Sequence, residues 1–175
     1  PPPAARERGL QEQEDTGDDG TDDADASAPG WAPFALHPVL KKAMVALGFN
    51  TPTDVQAATL PPSLGTDAMQ PRDVVGVAQT GSGKTLAYAL PILQYILENT
   101  AHSQDPARSL EALVLTPTRE LALQVCSHIR AVVEAGGCFA NVAAICGGMG
   151  FQKQERVLLQ HVGAHIFVAT TRAES

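Results

Sequence analysis

The chain has 175 residues, which is enough for one hydrophobic core but too short for two comfortable domains. Its formal net charge of −7 is concentrated in residues 1–30, which hold nine acidic residues and two arginines, whereas the remainder holds ten acidic and ten basic residues. The remainder therefore lacks the bulk positive charge of many nucleic-acid-binding proteins. Any contact with RNA or DNA must depend on a few placed residues.

Cys126, Cys138 and Cys146 are odd in number and include no C-x-x-C pair, so we expect reduced core thiols of an intracellular protein. The five histidines lack the spacing of metal ligands, and we assign them no role. No apolar run is long enough to span a membrane, and no cleavable signal opens the chain. Because residue 1 is Pro rather than Met, we expect the chain to be a piece of a longer protein.

Residues 1–30 are rich in Pro, Gly, Asp, Glu and Ala, and they contain almost no large apolar side chains. Such a segment cannot offset the entropy lost on ordering, so we predict a disordered acidic tail or linker. An acidic segment of this kind can also dock on a basic partner. The folded part is predicted to cover residues 31–175.

Apolar residues first recur at helical spacing just before Gly48, which commonly ends a helix; they are Leu36, Leu40, Met44 and Leu47. A second short helix is predicted over residues 54–60, followed by a Pro- and Gly-punctuated loop over residues 61–72. Strands are then predicted over residues 74–78, 112–116, 142–146 and 166–170. The helices predicted between them cover residues 84–98, with Pro91 as a kink, 119–134 and 151–160.

The predicted strands are apolar throughout, as expected for a parallel sheet with both faces covered. Alternating strands and helices of this kind predict an α/β fold with an open parallel sheet. In such a fold ligands bind at the carboxyl ends of the strands.

The most informative segment is a glycine-rich loop, Ala78-Gln79-Thr80-Gly81-Ser82-Gly83-Lys84-Thr85, between a predicted strand and a predicted helix. Backbone N–H groups in such a loop converge on a nucleotide β-phosphate, assisted by the positive end of the helix. Gly81 and Gly83 permit backbone angles that a Cβ would forbid. Lys84 would reach the β- and γ-phosphates, and the Thr85 hydroxyl would bind Mg²⁺. The strict pattern begins with Gly where this chain has Ala78, but the flanks favour nucleotide binding over a simple turn.

Three further clusters lie at or beside predicted strand ends: Thr116-Pro117-Thr118-Arg119, Gly147-Gly148 and Thr170-Thr171-Arg172. The first combines a helix start with two hydroxyls and a guanidinium, a reasonable phosphate site. Taken alone, it is better explained as a Thr-capped helix with a solvated Arg. Gln56 could read an adenine edge through its amide, although an isolated Gln is more often a surface residue.

Taken in order, these segments resemble the DEAD-box ATP-dependent RNA helicases. The matching blocks are Gly48-Phe49-x-x-Pro52-Thr53-x-x-Gln56, the loop over residues 78–85, Pro117-Thr118-Arg119-Glu120-Leu121-Ala122 and the paired glycines. The resemblance covers roughly residues 31–172, and it implies the N-terminal part of a RecA-like, P-loop ATP-binding domain. Trp31, seventeen residues before Gly48, occupies the place of the family's isolated aromatic. In having a Trp at this position, the chain resembles the branch of the family that acts in nucleolar assembly of the large ribosomal subunit.

The resemblance implies ATP and Mg²⁺ as cofactors, RNA as the partner, a monomer and contacts with pre-ribosomal proteins in the nucleolus. Phe49 and Gln56 would recognise adenine, and residues 78–85 would bind the nucleotide. Lys84 and Thr85 would carry the catalytic contacts, with Thr85 on Mg²⁺. The RNA sugar-phosphate backbone would contact Pro117, Thr118, Arg119 and Gly148, with little sequence preference.

Two departures from the family affect these expectations. Thr170 is followed by Thr171-Arg172-Ala173 instead of Pro-Gly-Arg, which puts the RNA contact there in doubt. No aspartate follows Asp105, so the Asp-Glu-Ala-Asp signature is missing, as are the Ser-Ala-Thr motif and the second lobe with its arginine fingers. We therefore expect a sheet incomplete at its C-terminal end, and nucleotide binding without useful hydrolysis by this piece alone.

Two other functions are compatible with parts of the sequence. One is a P-loop nucleotide-binding protein of switch or kinase type, which is disfavoured because the segment over residues 117–122 and the Phe49 and Gln56 block would both be coincidental. The other is a catalytically dead interaction module that keeps the fold as a scaffold. An Asp-Glu-Ala-Asp strand end beyond Ser175 would distinguish an active helicase from both.

Overall fold

The computed structural model describes residues 28–65, 70–100, 110–138, 140–150, 152, 154–156 and 165–171. Its elements in chain order are α1 (Pro38–Ala46), α2 (Asp54–Leu64), α3 (Lys84–Thr100), β1 (Ala112–Thr116), α4 (Arg119–Gly136), β2 (Val142–Ile145) and β3 (Ile166–Thr170). Residues 1–27 of the tail predicted over residues 1–30 lie outside the described residues. The prediction of disorder is wrong for its last three residues, because Ala28 is buried in the core and Gly30 packs against Asn50. Of the helix predicted over residues 151–160, residues 152 and 154–156 are helical and the others lie outside the described part.

The three strands form a parallel sheet in the order β1-β3-β2. Thr116 of β1 pairs with Thr170 of β3, and Ile145 of β2 pairs with Ala169 of β3. The carboxyl ends of all three strands therefore lie side by side. This arrangement confirms the predicted α/β class with an open parallel sheet, and it places the segments after β1 and β2 at one edge.

The prediction of a strand over residues 74–78 is wrong, because residues 70–79 belong to neither a strand nor a helix. A strand is defined by hydrogen bonds to a neighbour, and this segment pairs with none of the three described strands. Val75 and Val77 are 94% and 95% exposed. The apolar sequence identified a segment suited to a sheet interior, but not whether neighbouring strands surround it.

The expectation that both sheet faces are covered also fails at β1. Its side chains alternate in exposure, and Leu113 and Leu115 are each 58% exposed. Residues on the opposite face are more buried, and Thr116 is fully inside. One face of β1 is therefore left open by the described residues, although the strand is apolar on both faces.

The core lies between the sheet and the helices. Helix α4 packs on all three strands, α1 packs mainly on α4, and α2 packs on α3. The largest fully buried side chains include Trp31, Leu40, Leu90, Ile129 and Ile166. Gly136 allows the close contact of α1 with α4, since a Cβ there would lie 2.9 Å from the carbonyl oxygen of Val39.

The helix boundaries follow local signals closely. Pro38 occupies the first turn of α1, and Gly48 follows its end with φ +76°, as predicted for a terminating glycine. Helix α2 extends beyond the predicted residue 60 to Leu64 despite two internal prolines. None of the described helices is both long and apolar enough to cross a membrane.

Candidate functional site

The glycine-rich loop over residues 78–85, called the phosphate loop below, leads directly into α3, which begins at Lys84. Gly81 and Gly83 have φ values of +81° and +88°, in the left-handed region that side chains disfavour. Two such residues reverse the chain tightly and leave the first N–H groups of α3 at the loop. This is the local geometry that binds phosphate groups at helix starts.

Within the phosphate loop, Lys84 and Ser82 have contrasting environments. The Nζ of Lys84 donates to the carbonyl of Ala78 at 2.6 Å and to that of Gln79. The Oγ of Ser82 is buried and has no hydrogen-bond partner among the described residues. A buried hydroxyl without a partner is costly, so a ligand with phosphate oxygens would satisfy it. The residues present therefore fit a nucleotide phosphate.

Gln56 contacts the phosphate loop directly. It is only 3% exposed, and its Oε1 accepts from the backbone N of Thr53 at 2.9 Å. Its Nε2 donates to the carbonyl of Gly83 at 3.0 Å. The view of Gln56 as a surface residue is therefore wrong. Its amide connects the start of α2 to the phosphate loop and retains one N–H and one lone pair for a further partner.

Phe49 follows α1 and keeps 45% of its surface exposed. Its backbone is held from two sides: its N donates to the carbonyl of Met44 at 2.8 Å, and its carbonyl accepts from Trp31 Nε1 at 2.5 Å. Trp31 itself is fully buried. Trp31, the isolated aromatic residue noted in the sequence, thus fixes the backbone of Phe49, which is predicted to recognise adenine.

Thr85, the predicted magnesium ligand, lies in the first turn of α3. Burial raises the pKa of the nearby Tyr88, and a side-chain hydrogen bond between Tyr88 and Thr85 opposes only part of this rise. Tyr88 therefore remains a neutral phenol at physiological pH. The described residues contain no group of three His, Cys, Asp or Glu side chains suited to a metal. Thr85 would be the ligand for Mg²⁺ that the phosphate-loop helix offers, and the phosphate oxygens of a bound nucleotide would supply further ligands.

The four residues predicted to contact RNA follow β1 and β2, and all are exposed. Thr118 caps α4, with its Oγ1 accepting from the N of Leu121 at 3.3 Å. Arg119 begins α4, and its Nη1 lies 3.4 Å from the position that a Cβ on Gly148 would occupy. The structure therefore brings Arg119 and the paired glycines together. Pro117 and Thr118 lie next to them at the same edge of the sheet.

A network of threonines joins the strand ends beneath these residues. The Oγ1 of Thr170 accepts from the N of Gly147 at 3.0 Å, and this bond fixes the start of the glycine turn. The N of Thr171 donates to the carbonyl of Thr116 at 3.1 Å. Arg172, the third member of this cluster, lies outside the described residues.

All three cysteines are free thiols, and Cys126 and Cys146 are buried as predicted, whereas Cys138 is half-buried. Burial raises the pKa of Cys146, and the nearby Arg119 partly opposes this. Burial likewise raises the pKa of Cys126, opposed by Arg130. The thiols are therefore protonated at neutral pH, as expected for packing residues rather than nucleophiles.

Two positions of structural importance were not identified from the sequence. Thr53 begins α2 as the N-cap of a capping box with Gln56, and the Thr-x-x-Gln spacing is a recognisable signal for that motif. Gln94 is buried on α3 and accepts from the backbone N of His37. A polar residue interrupting an apolar helix face was the available signal for Gln94.

Comparison with known proteins gives one family match and many relatives. The family model described as DEAD/DEAH box helicase matches residues 53–173. The chain is 46% identical over 155 residues to "ATP-dependent RNA helicase mak5" of Aspergillus oryzae, covering 85% of this chain and 19% of the relative. It is 43% identical over 141 residues to "DEAD-box ATP-dependent RNA helicase 13" of Oryza sativa subsp. japonica, covering 73% of this chain and 16% of the relative. The chain thus spans about a fifth of these relatives.

Solved structures agree with this assignment. The yeast DEAD-box splicing factor Prp28 superposes with a TM-score of 0.68 at 32% identity, covering 77% of this chain and 31% of that protein. The DEAD-box helicase Mss116, solved bound to single-stranded RNA and UDP-BeF, gives a TM-score of 0.69 at 26% identity, covering 81% of this chain and 27% of that protein. From its phosphate loop, its strand-end clusters and these matches, the chain belongs to the DEAD/DEAH box helicase family.

Proposed function

We propose that this chain is the ATP-binding part of a longer ATP-dependent RNA helicase. The observation that carries the proposal is the bond between Gln56 and Gly83, which connects the predicted adenine-reading residue to the phosphate loop. One structural unit then holds groups suited to both ends of a nucleotide. In this interpretation the predicted folded part, residues 31–175, is the N-terminal part of the ATP-binding domain, and the acidic part of residues 1–30 is a tail that ends before the buried Ala28.

The phosphate loop supplies the binding groups for the triphosphate. Backbone N–H groups of residues 79–85 would surround the β-phosphate, and Ser82 Oγ would gain a partner that the described protein atoms do not provide. Lys84 Nζ would exchange its two carbonyl partners for phosphate oxygens, a favourable exchange because the new bonds are between opposite charges. Thr85 would hold Mg²⁺, which neutralises phosphate charge when bound.

Phe49 and Gln56 would provide adenine selectivity. The exposed ring of Phe49 can stack on a base, while the remaining amide positions of Gln56 can donate to and accept from the adenine edge at once. Guanine presents mismatched groups at that edge, and an unpaired buried amide costs about 1–3 kcal/mol. Selectivity for ATP over GTP would follow.

RNA would bind across the carboxyl ends of β1 and β2, on Pro117, Thr118, Arg119 and Gly148. Arg119 offers a cation next to the Gly147–Gly148 turn, where the absence of side chains allows close approach of a phosphate. These groups recognise a sugar-phosphate backbone and leave the bases unread. Low sequence preference follows, together with salt-dependent affinity.

Hydrolysis would require groups that this sequence does not contain. There is no aspartate after Asp105, so no Asp-Glu-Ala-Asp segment follows β3 here. Positioning and charge neutralisation account for most of the catalysis of phosphoryl transfer, and one loop supplies only part of both. We therefore place ATP hydrolysis in the full-length protein, which we expect to act as a monomer.

We further propose a role in assembling the large ribosomal subunit in the nucleolus, with pre-ribosomal proteins as partners. This rests on Trp31, whose place in the sequence resembles that of the aromatic residue in this helicase branch. The fully buried position of Trp31 and its bond to Phe49 give that residue a structural task that a Phe could not perform, because only the indole has an N–H donor.

The test is a titration of the full-length protein with ATP and GTP, combined with hydrolysis assays with and without RNA. We expect tighter binding of ATP and RNA-stimulated hydrolysis, and loss of the preference for ATP in Gln56→Ala. Equal affinity for the two nucleotides would contradict the adenine site. Binding of ATP and RNA without hydrolysis would instead favour a catalytically dead interaction module.

A further inference from the structure

Gln94 lies on α3, the helix that begins with Lys84, and its side chain is only 8% exposed. Its Oε1 accepts from the backbone N of His37 at 2.7 Å, and its Nε2 donates to Glu98 Oε1 at 2.5 Å. Both ends of the amide are therefore used. The bond to His37 connects the phosphate-loop helix to the residue just before α1.

Helix α1 carries this connection to Phe49. His37 is the N-cap of α1, with its Nδ1 accepting from the N of Val39 at 3.3 Å. The helix ends nine residues later, and Phe49 is fixed to its last turn by the bond from its N to the carbonyl of Met44. A short helix is stiff, so a displacement at His37 moves Phe49.

The chain before α1 returns to the same place. Trp31 donates to the carbonyl of Phe49, and a Cβ on Gly30 would collide with the carbonyl oxygen of Asn50 and with Thr51. Residues 28–34 thus pack against the segment that follows α1. We call residues 28–49 the aromatic bracket, because the hydrogen bond from Trp31 to Phe49 joins its first residues to its last one.

Within the aromatic bracket, α1 packs mainly on α4, through Val39 and Ala43 against Gly136, and packs less on α3. Gln94 is a direct polar link between the bracket and the helix that carries the phosphate loop. A buried amide that satisfies a backbone N–H also resists replacement, because its loss leaves that N–H without its partner.

We infer that Gln94 is a positioning residue for adenine recognition: by fixing the aromatic bracket to α3, it sets the place of Phe49 relative to the phosphate loop. This inference rests on the proposed function, because it assigns Gln94 a role in the site formed by Phe49 and residues 78–85. It predicts that Gln94 affects binding of the base and leaves binding of the phosphates unchanged.

The test uses the full-length protein and three probes: ADP, GDP and inorganic tripolyphosphate. In Gln94→Leu we expect affinity for ADP to fall about tenfold, near the low end of a base–aromatic stacking contact, and affinity for tripolyphosphate to change by less than about twofold. The preference for ADP over GDP should fall with it. A variant that was only less stable would lose affinity for all three probes alike.

Asn99→Ala is the matched control, since Asn99 lies on the same helix, is exposed, and among the described residues donates to the carbonyl of Tyr95 within its own helix, at 2.8 Å. It should leave the preference for ADP unchanged. The double variant Gln94→Glu with Glu98→Gln exchanges donor and acceptor along the helix and keeps an oxygen for His37. It should restore the preference, with Glu98→Gln alone as its reference.

A preference for ADP that persists in Gln94→Leu would overturn the role of Gln94 while leaving the adenine site intact. If Gln94→Leu does not fold, the double variant Gln94→Glu with Glu98→Gln decides, because it keeps the acceptor for His37 without placing two carboxylates side by side. A folded double variant without the preference would overturn the inference. Equal binding of ADP and GDP by the unaltered protein would overturn the proposed adenine site and this inference together.

Discussion

Gln56 Nε2 lies 3.0 Å from the carbonyl oxygen of Gly83, so α2 is hydrogen-bonded to the loop that opens α3. The two residues are 27 positions apart in the chain. Gly83 has φ +88°, and the amide of Gln56 occupies the space that a side chain at position 83 would need. The shape of the phosphate loop therefore depends on a residue outside it.

Replacing Gly83 with Ala should disrupt this contact and nucleotide binding with it. A Cβ at position 83 would lie 2.5 Å from Gln56 Nε2 and 2.9 Å from Thr53 Oγ1, and the left-handed backbone adds about 1–2 kcal/mol of strain. We expect a lower melting temperature and at least a tenfold loss of ADP affinity in the full-length protein, measured by calorimetry.

Gly81→Ala is the matched control for this experiment. Gly81 also has a positive φ, +81°, but a Cβ there would meet no atom within 4 Å. The Gly81→Ala variant should therefore lose stability only through the strain of its left-handed backbone. Equal effects of the two substitutions would mean that the contact with Gln56 contributes nothing beyond the conformation of the loop.

Replacing Lys84 with Ala should abolish ATP hydrolysis by the full-length protein with little change in stability. Among the described residues its Nζ donates only to carbonyls of the loop itself, so we expect its removal to leave the core intact. Its charge would act where the transition state is most negative, and we expect a loss of at least about a hundredfold in kcat. Near-normal turnover in a protein with unchanged melting would contradict this assignment.

Local signals in the sequence were sufficient for most of the fold. The starts of α3 and α4 follow from Gly83 and from Thr118, because a left-handed glycine and an N-cap threonine act through their immediate neighbours. The spans of β1 and β3 were predicted to the residue. The same applies to the phosphate loop, whose glycines have the positive φ values that its pattern requires.

Contacts between distant segments could not be predicted in this way. Gln56 is bonded to the carbonyl of Gly83, and Gln94 is bonded to the backbone N of His37. Neither pair of residues has a spacing in the sequence that would predict its contact. The strand predicted over residues 74–78 failed for a related reason. Apolar residues suit a sheet interior, but a segment becomes a strand only when it forms backbone hydrogen bonds with a neighbouring strand. The residue pattern of one segment does not identify its neighbours.

Replacing Thr170 with Val should weaken RNA binding without affecting nucleotide binding. The substitution keeps the shape of the side chain but removes the oxygen that accepts from the N of Gly147, which frees the Gly147–Gly148 turn beside Arg119. We expect affinity of the full-length protein for a labelled single-stranded RNA to fall about fivefold, the order of one lost hydrogen bond.

Thr171→Val serves as its control, because the side chain of Thr171 is exposed and only its backbone N bonds to Thr116. ADP affinity should remain unchanged in both variants. A Thr170→Val protein that binds RNA normally would show that the turn keeps its place without this hydroxyl.

The 175-residue chain on its own should neither hydrolyse ATP nor protect all of its apolar segments. Val75 and Val77 are almost fully exposed, Leu113 and Leu115 are more than half exposed, and residues 74–78 pair with none of the described strands. Amide hydrogens exchange slowly where they are hydrogen-bonded in stable structure. Those of β3, which has a neighbouring strand on each side, should therefore be protected, and those of residues 74–78 should not.

Exposed apolar segments with free backbone groups should also make the chain prone to aggregation. Hydrogen exchange of the isolated chain, together with its ATPase rate at saturating RNA, measures both properties. Cooperative protection that includes residues 74–78, accompanied by RNA-stimulated hydrolysis, would show that the chain already contains everything the reaction needs.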